Sequence, residues 1–393
     1  MISFDNTEIA FNSKSSKDLR RAYWLFKIVA NPKVVSFGKW ATHFAIKTHL
    51  PIKGIIKATI FKQFCGGESI TESLNTSNQL AKYGLKTILD YSIEGKAEEK
   101  DFDKTVAEII ATIEQGKSNE NIPFAVFKMT GICLFSILEK VNTGIEKLDT
   151  ETQVEYDKLN QRVDQICKAA FDANVPVFID AEETWIQDVI DRLAKEMSLK
   201  YNKKRAIVFN SAQLYRHDRL VFVKNEIVHA REHGYFLGIK LVRGAYMEKE
   251  RERAKNKGYS SPIQPNKEAS DKDYDKAVET VLDNLDVTSV CVGTHNEESS
   301  VKLIQLMIDR RVEKNDSRIY FAQLLGMSDH ISYNLSYKHY NVAKYVPYGP
   351  IKDVLPYLLR RADENTSVAG QTTRELSLII KEISRRKASI KII

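Results

Sequence analysis

Cysteine is scarce in this chain, and its spacing excludes two common kinds of structural site. The 393 residues include four cysteines, Cys65, Cys133, Cys167 and Cys291. None are paired at metal-ligand spacing, and four scattered cysteines do not form a disulfide framework in a chain this long. The sequence therefore predicts a protein of a reducing compartment.

Long apolar runs and nucleotide-binding loops are also missing. No run of about 18 apolar residues occurs, so no transmembrane helix is predicted. Asp5 and Glu8 come early and no signal-peptide core follows them, which leads us to expect a cytoplasmic protein. No Gly-x-Gly-x-x-Gly or Walker loop follows a strand, and no zinc-spaced histidine pair or EF-hand loop appears, so no metal is expected.

The composition is that of an ordinary globular protein. Apolar residues make up 43% and charged residues 28% of the chain, and the net charge is +7. We interpret this charge as spread over the whole length. It favours anionic ligands or a negative membrane surface without identifying either.

From residue 87 onward, short apolar segments alternate with long amphipathic segments, as in a parallel sheet with helical crossovers. The predicted strands are Thr87–Tyr91, Phe124–Met129, Val175–Ile179, Ala206–Phe209, Phe236–Val242, Ser289–Gly293, Ile319–Leu325 and Val342–Val346. Eight strands in roughly 280 residues suit a closed (βα)8 TIM-type barrel, whose usual size is about 250 residues. An open doubly wound sheet remains an alternative, because sequence does not show closure.

This rhythm divides the chain into three parts. We predict an N-terminal helical extension over residues 1–86, the barrel over residues 87–365 and a C-terminal helical tail over residues 366–393. A helix is expected in the tail at about Thr372–Arg385. A long polar loop with two prolines is expected over residues 255–271, after the fifth strand, where such loops often act as lids.

The predicted extension has its own helical signals. Trp24, Leu25 and Ile28 recur at helical spacing. A Gly-Gly-Glu-Ser interruption follows, and Ser69 or Thr71 is expected to cap the next helix.

Polar side chains end nearly every predicted strand, and in a barrel such ends form the functional mouth. Lys240 is the most informative, because its apolar neighbours predict that it points into the barrel, where a purely structural lysine would be costly. Lys128 and Asp180 have a simpler interpretation as a mutual ion pair, and His295 as a satisfied structural histidine. The strand-end residues are Lys128, Asp180, Gln213, Lys240, Arg243, Thr294, His295, Gln323 and Tyr345.

Residues 345–365 form a second informative stretch, in which an apolar run breaks at residues 347–350 and a helix follows. At 3.6 residues per turn, one face collects Leu355, Leu358, Leu359 and Ala362, and the other collects Tyr357, Arg360, Arg361 and Glu364. Two guanidinium groups beside a phenol suit a carboxylate or a phosphate. A solvated face with a weak Arg360–Glu364 pair is the simpler interpretation of the helix alone, but its place after the last strand favours binding.

Five motifs in this order resemble the proline dehydrogenase family, over about residues 15–370. They start at Phe178, Lys240, Thr294, Leu324 and Tyr345, and read Phe-Ile-Asp-Ala-Glu-Glu, Lys-Leu-Val-Arg-Gly-Ala-Tyr, Thr-His-Asn, Leu-Leu-Gly-Met, and Tyr-Val-Pro-Tyr-Gly-Pro through Tyr-Leu-Leu-Arg-Arg-Ala-Asp-Glu-Asn. The resemblance implies a distorted (βα)8 barrel that uses FAD to oxidise L-proline to Δ1-pyrroline-5-carboxylate. It also implies a membrane quinone as acceptor, peripheral contact with the inner face of the cell membrane, and coupling to a separate pyrroline-5-carboxylate dehydrogenase.

The resemblance also implies roles for individual residues. Arg360, Arg361 and Lys128 would hold the substrate carboxylate, Leu324, Tyr345 and Tyr357 would shape the ring pocket, and Asp180 and Lys240 would act in catalysis. FAD would contact Ala181, Gln213, Lys240, Arg243, Gly244, Ala245, Thr294 and His295. Glu68 would pair with one clamp arginine as a gate.

Some positions depart from the family pattern. Many bacterial relatives carry Arg and Lys where this chain has Lys240 and Arg243, so its flavin contacts are expected to differ in detail. Leu325 favours the monofunctional branch, and Tyr345 favours proline over hydroxyproline. The alternatives are a flavin-dependent barrel oxidoreductase acting on another small amino or imino acid, and a basic non-enzyme that docks on membranes or nucleic acid. The basic non-enzyme is disfavoured because the sequence shows no clustered basic patch with interleaved aromatics.

Overall fold

Eight parallel strands form a closed barrel in the order in which they occur along the chain. The computed structural model describes residues 2–31, 33–36, 38, 53–92, 98–367 and 371–390. The strands are β1 (Lys86–Tyr91), β2 (Phe124–Phe127), β3 (Val177–Ile179), β4 (Val208–Gln213), β5 (Leu237–Val242), β6 (Thr288–Gly293), β7 (Ile319–Leu324) and β8 (Val342–Tyr348). The predicted (βα)8 barrel is confirmed, and the open sheet is excluded.

Helices connect the strands and flank the barrel at both ends of the chain. Before β1 lie α1 (Thr7–Ala10), α2 (Ser16–Val29), α3 (Lys53–Ile56), a π-helical segment (Lys57–Phe61), α4 (Lys62–Phe64) and α5 (Ile70–Ala81). Between the strands lie α6 (Glu99–Ser118), α7 (Phe135–Thr143), α8 (Thr150–Ala173), α9 (Thr184–Tyr201), α10 (Arg219–Glu232), α11 (Met247–Lys257), α12 (Lys267–Leu282), α13 (Glu297–Asp309) and α14 (Asp329–Tyr337). Short 3-10 turns occupy Met129–Gly131 and Ile145–Lys147, and α15 (Ile351–Ser367) and α16 (Gln371–Ile390) follow β8.

The described chain falls into two compact units. We call residues 1–94 with 323–393 the terminal unit, and residues 95–322 the central unit. The boundaries predicted at residues 86 and 365 stay predictions, because this division follows packing and does not test them.

Aromatic rings fill the central unit near the starts of its strands. Phe124, Phe178, Phe209 and Tyr320 come from β2, β3, β4 and β7. The ring centroids of Phe124 and Phe178 lie 4.5 Å apart, and those of Phe124 and Tyr320 lie 4.8 Å apart. Since β2 and β7 are not neighbours in the sheet, these rings meet inside the barrel. Lys240, the charged residue among the unit's strands, lies beyond these rings toward the carboxyl-terminal end of β5.

The eighth strand continues through a proline that the sequence pattern treats as a break. Asp90 lies opposite Pro347, and Tyr91 lies opposite Tyr348. The carbonyl of Pro347 accepts a hydrogen bond from the Gly66 N–H at 2.8 Å. The prediction that the strand ends before Pro347 is wrong, because a proline lacks a donor but keeps its acceptor, and the residues around Gly66 supply the donor.

In α2 the buried face differs from the expected one. Leu19, Ala22 and Phe26 are buried in the core of the terminal unit. Trp24 and Ile28, grouped on the sequence as part of the apolar pattern, are 59% and 49% exposed. The predicted helix is confirmed, but these two side chains lie outside its core face.

Two further local predictions have different outcomes. Ser69 caps α5, because its Oγ accepts a hydrogen bond from the Glu72 N–H at 3.3 Å, as predicted. The loop expected over residues 255–271 is present but shorter than predicted, because α11 runs to Lys257 and α12 begins at Lys267. The residues between them are fixed to the end of β4, where the Gln264 N–H donates to the Tyr215 carbonyl at 2.7 Å.

Candidate active site

The central unit brings the carboxyl ends of adjacent strands together. Lys240 lies on β5, opposite Ser211 of β4 and Cys291 of β6. Since the strands are parallel, their last residues share one rim of the barrel. Ten predicted site residues belong to this unit: Lys128, Asp180, Ala181, Gln213, Lys240, Arg243, Gly244, Ala245, Thr294 and His295.

Lys240 and Asp180 form a buried ion pair at this rim. The Lys240 side chain is 6% exposed and that of Asp180 is 17% exposed. The Lys240 ammonium also lies 5.4 Å from the centroid of the Phe178 ring. The predicted burial of Lys240 is confirmed, and a buried charge of this kind requires a paired partner. Sequence reasoning did not name Asp180 as that partner.

Arg243 is held by three side chains that follow β5 and β6. Its Nε donates to Asp271 at 2.6 Å, and its terminal nitrogens donate to Thr294 and Ser299, each at 2.9 Å. The guanidinium carbon lies 4.3 Å from the ring centroid of Tyr274. Burial alone would raise the pKa of Asp271, but hydrogen bonds from Lys267 and Arg243 hold it below its usual value. Sequence reasoning missed Asp271 because it assigned residues 255–271 to a loop.

The exit of β5 requires a glycine. Gly244 has φ of +138°, and a Cβ atom there would lie 2.4 Å from the Tyr215 ring. A side chain is therefore excluded at Gly244. Gly244 and Ala245 are both exposed, so their backbone is open to a ligand at the rim.

Glu182 connects the ends of three strands. Its carboxylate accepts hydrogen bonds from the Thr130 N–H at 3.1 Å and the Thr130 hydroxyl at 2.5 Å. Its backbone carbonyl accepts a hydrogen bond from the Gln213 amide at 2.7 Å. Thr130 lies two residues after Lys128, so Glu182 joins the segment that carries Lys128 to β3 and β4.

The charge of Glu182 depends on this buried setting. The residue is 3% exposed. Burial raises the pKa of Glu182 from 4.5 to about 7, although the Thr130 hydrogen bonds and the Lys128 charge act in the opposite direction. Sequence reasoning missed this role of Glu182, because its burial depends on tertiary packing.

The terminal unit holds the other predicted site residues. Tyr345 is 8% exposed on β8, and Tyr357 and Arg361 on α15 are 4% and 8% exposed. The Arg361 guanidinium carbon lies 5.2 Å from the Tyr357 ring centroid. The interpretation of the polar side of this helix as a solvated face is therefore wrong for Tyr357 and Arg361, and the Arg360–Glu364 pair lies outside the side chains that the structure describes. Arg360 and Leu324 are half-buried.

Glu68 lies near the start of α15. Its carboxylate pairs with the Lys57 ammonium at 2.6 Å. The Lys57 hydrogen bond is the largest cause of the lowered pKa of Glu68, and the backbone N–H of Ile351 contributes in the same direction. A carboxylate is favoured at this position by the helix dipole. The gate pairing of Glu68 with a clamp arginine stays a prediction.

One strand-end acid was missed altogether. Asp90 is the penultimate residue of β1, is 7% exposed and accepts a hydrogen bond from the Ser92 hydroxyl at 2.5 Å. The strand-end rule identifies this position from the sequence alone, since Asp90 ends an apolar run.

The four cysteines are buried and free. Among the described residues, no group of three or more His, Cys, Asp or Glu side chains is arranged to hold a metal ion.

Comparison with known proteins decides the family. A family model described as Proline dehydrogenase matches residues 73–374. The chain belongs to the proline dehydrogenase family. The match includes every predicted site residue except Glu68.

Curated proteins that are similar to this chain in sequence come from a wide range of organisms. Mitochondrial proline dehydrogenase 1 of Dictyostelium discoideum is 33% identical over 379 residues, covering 86% of this chain and 66% of that protein. The Homo sapiens protein of the same name is 40% identical over 245 residues, covering 62% and 41%. The carbapenem antibiotics biosynthesis protein CarD of Pectobacterium carotovorum is 32% identical over 323 residues, covering 82% and 83%. The chain thus spans two thirds or less of both mitochondrial proteins.

A solved structure shares the fold of the chain. The proline utilization A protein of Bdellovibrio bacteriovorus, inactivated by N-propargylglycine, aligns with a TM-score of 0.71 at 19% identity. The alignment covers 92% of this chain and 38% of that one. At this identity the likeness supports the barrel fold alone.

Proposed function

We propose that this protein oxidises L-proline to Δ1-pyrroline-5-carboxylate with FAD as its cofactor, as the first step of proline catabolism. The observation that carries the proposal is the buried Lys240–Asp180 pair at the barrel rim, in a chain of the proline dehydrogenase family. Ordinary structural residues at that position would be apolar, since burying a charge is costly.

The residues of the central unit fit a flat cofactor with anionic groups. Gly244 leaves an exposed stretch of backbone without a side chain, against which a planar ring can lie. Lys240 and Arg243 supply positive charge beside it, and Gln213 and Thr294 supply polar atoms. These residues, with Ala181, Ala245 and His295, would hold FAD. When bound, FAD supplies an acceptor for the hydride that leaves the substrate.

The remaining predicted residues would position the substrate. Arg360 and Arg361 would hold its carboxylate with Lys128, and Leu324, Tyr345 and Tyr357 would enclose its ring. Loss of a hydride from the carbon beside nitrogen and of the amine proton converts the C–N bond to C=N, and two electrons leave the substrate. The amine must be neutral to react, and nearby cations lower the pKa of a bound ammonium.

We further propose a quinone as the final electron acceptor, with peripheral membrane contact. A second, separate enzyme would then oxidise the released pyrroline-5-carboxylate. In the described part of the chain, no helix is both long enough and apolar enough to cross a bilayer. The membrane contact would therefore involve a surface, and the expected cytoplasmic location stays a prediction.

A visible absorption spectrum tests this function. We expect the purified holoprotein to be yellow. When L-proline is added in the absence of oxygen, the visible absorption band of its oxidised flavin should disappear. Trans-4-hydroxyproline is the matched control, because the buried Tyr345 is expected to disfavour it. Bleaching by another amino or imino acid but not by proline would support the flavin-dependent alternative, and a colourless protein would contradict both.

A further inference from the structure

The N-terminal part of the chain has a charge distribution that the overall net charge conceals. Residues 19–67 contain no Asp or Glu and nine Lys or Arg residues, although acidic residues number 52 in the 393-residue chain. This stretch therefore has a larger positive charge than the whole chain, whose net charge is +7. The interpretation of the charge as evenly spread is wrong, and the same stretch holds Trp24 and Trp40, two of three tryptophans.

Helix α2 presents part of this charge on one exposed stripe. Lys17, Arg20, Trp24, Lys27 and Ile28 are all exposed, and we call them the α2 stripe. Their spacing places them along one side of the helix. The opposite side packs into the core of the terminal unit. The stripe thus combines three cations with two large apolar side chains and carries no carboxylate.

The apolar side chains of the stripe lie beside the cations. The Lys27 ammonium lies 5.2 Å from the ring centroid of Trp24. Trp24 is 59% exposed and Ile28 is 49% exposed. The carboxylate of Asp18, the acidic residue of α2, is paired with Arg21 at 3.0 Å. An exposed indole with a neighbouring lysine is typical of a protein surface at a membrane interface.

Other described residues of the same acid-free stretch form a similar surface. Ile55 on α3 is 68% exposed, and Val34 is 42% exposed. Lys53 is exposed near Ile55 in the sequence. Large apolar side chains are thus exposed at several points of a basic segment, and this combination costs solubility unless a partner covers it.

We infer that the α2 stripe is a docking surface for an anionic lipid bilayer. Acidic headgroups complement the three cations, and the indole and isoleucine side chains insert between the headgroups and acyl chains. A nucleic acid would neutralise the cations and stack a base on the indole, but it offers no acyl chains to bury the isoleucine side chain. A second copy of this chain would place the same cations against each other in a symmetric contact. The inference gives a location to the membrane contact proposed above and does not depend on proline as the substrate.

Vesicle flotation tests this surface. The holoprotein is floated, without proline, with vesicles of phosphatidylcholine containing about 30% phosphatidylglycerol, and with vesicles of phosphatidylcholine alone. We expect binding to the anionic vesicles, and a decrease of at least about tenfold in the W24S/I28S and R20E/K27E variants. Matched controls are I308S and K302E on α13, where Ile308 is 59% exposed and Lys302 is exposed. Neither control is expected to change binding.

Two measurements keep the result interpretable. Unchanged thermal unfolding and unchanged proline-dependent reduction of a soluble dye show that the variants are folded. Three results would overturn the inference. Binding could survive both double substitutions, it could fall equally in the controls, or it could be equal on neutral vesicles. Loss in the charge variant alone overturns the insertion of Trp24 and Ile28. Stronger binding to a labelled DNA duplex than to vesicles overturns the choice of a bilayer.

Discussion

Single buried charges at the barrel rim depend on partners that are distant in sequence. Lys240 lies among apolar neighbours, so its burial follows from the alternation of side chains along a strand. Its partner Asp180 is 60 residues away and meets it because β3 and β5 are held on either side of β4. Glu182 shows the same dependence, since its partners Thr130 and Gln213 come from the ends of β2 and β4.

At this scale we predict that E182Q changes how stability depends on pH. Burial raises the pKa of Glu182 from 4.5 to about 7, so the folded state binds a proton that the unfolded state releases. The resulting stabilisation is fully present below about pH 4.5 and is lost as the pH rises through about 7. Wild type is therefore expected to lose about 3 kcal/mol of unfolding free energy over this range, relative to E182Q.

Urea unfolding at a series of pH values measures this difference. The E313Q variant is the control, because Glu313 is exposed and its substitution leaves the buried network unchanged. An E182Q variant whose stability falls with pH as steeply as that of wild type would contradict the assignment. The pH dependence of KM for proline should also shift in E182Q, since Glu182 holds the segment that carries Lys128.

At the scale of whole elements, helical periodicity is sufficient to predict some buried faces and insufficient for others. The wheel of α15 predicts one packed face and one wet face, but Tyr357 and Arg361 are as buried as Leu355. In the terminal unit this helix packs against Phe61, Phe64 and Cys65 of the N-terminal segment. A second packing neighbour covers a face that an isolated barrel helix would leave in solvent.

We predict that R361M weakens proline use without removing the flavin. A charge-assisted hydrogen bond to the substrate carboxylate contributes about 1.5–3 kcal/mol, so kcat/KM should fall by about one to two orders of magnitude. Steady-state kinetics with a soluble acceptor and the flavin absorption spectrum measure the two effects. K352M is the matched control, because Lys352 is exposed on the same helix. Unchanged kinetics in R361M would remove Arg361 from the substrate site.

At the scale of the molecule, a charge network centred on the buried Lys344 and Asp329 holds together segments from near both ends of the chain within the terminal unit. Lys344 of β8 is fully buried, and its ammonium pairs with Asp329 at 2.9 Å. Lys14, which precedes α2, pairs with the same carboxylate at 3.0 Å. Arg386 of α16 donates to the Lys14 carbonyl at 2.8 Å, so one network links the segment between α1 and α2 to α16.

We predict that D329N is strongly destabilising. Burial alone would raise the pKa of Asp329, but the charges of Lys14 and Lys344 hold it well below its usual value. Its contribution to stability is therefore present at neutral pH and is lost only as the pH falls into the strongly acidic range. Removing the charge leaves Lys344 buried without its carboxylate partner, which costs about 3–5 kcal/mol.

Chemical denaturation of D329N measures this cost. D286N is the control, because Asp286 pairs with Arg231 on the surface, where an ion pair contributes little. Equal stability losses in the two variants would show that the buried network does not act as described.

Much of the architecture could be predicted from local pattern. All eight predicted strands overlap observed strands, and the C-terminal helix is confirmed. The errors lie at Pro347, at residues 255–271 and on the faces of α2 and α15. In each of these places a contact from elsewhere in the chain decides the outcome, and no local pattern reports such a contact.

The sequence by itself determined the strand–helix alternation, the inward position of Lys240 and the family of this chain. These depend on side-chain periodicity and on short motifs, which are properties of neighbouring residues. Only the tertiary structure decided that Asp180 partners Lys240, that Glu182 is buried and that Trp24 is exposed. Burial and charge pairing depend on which elements pack together, and closing the barrel sets that packing.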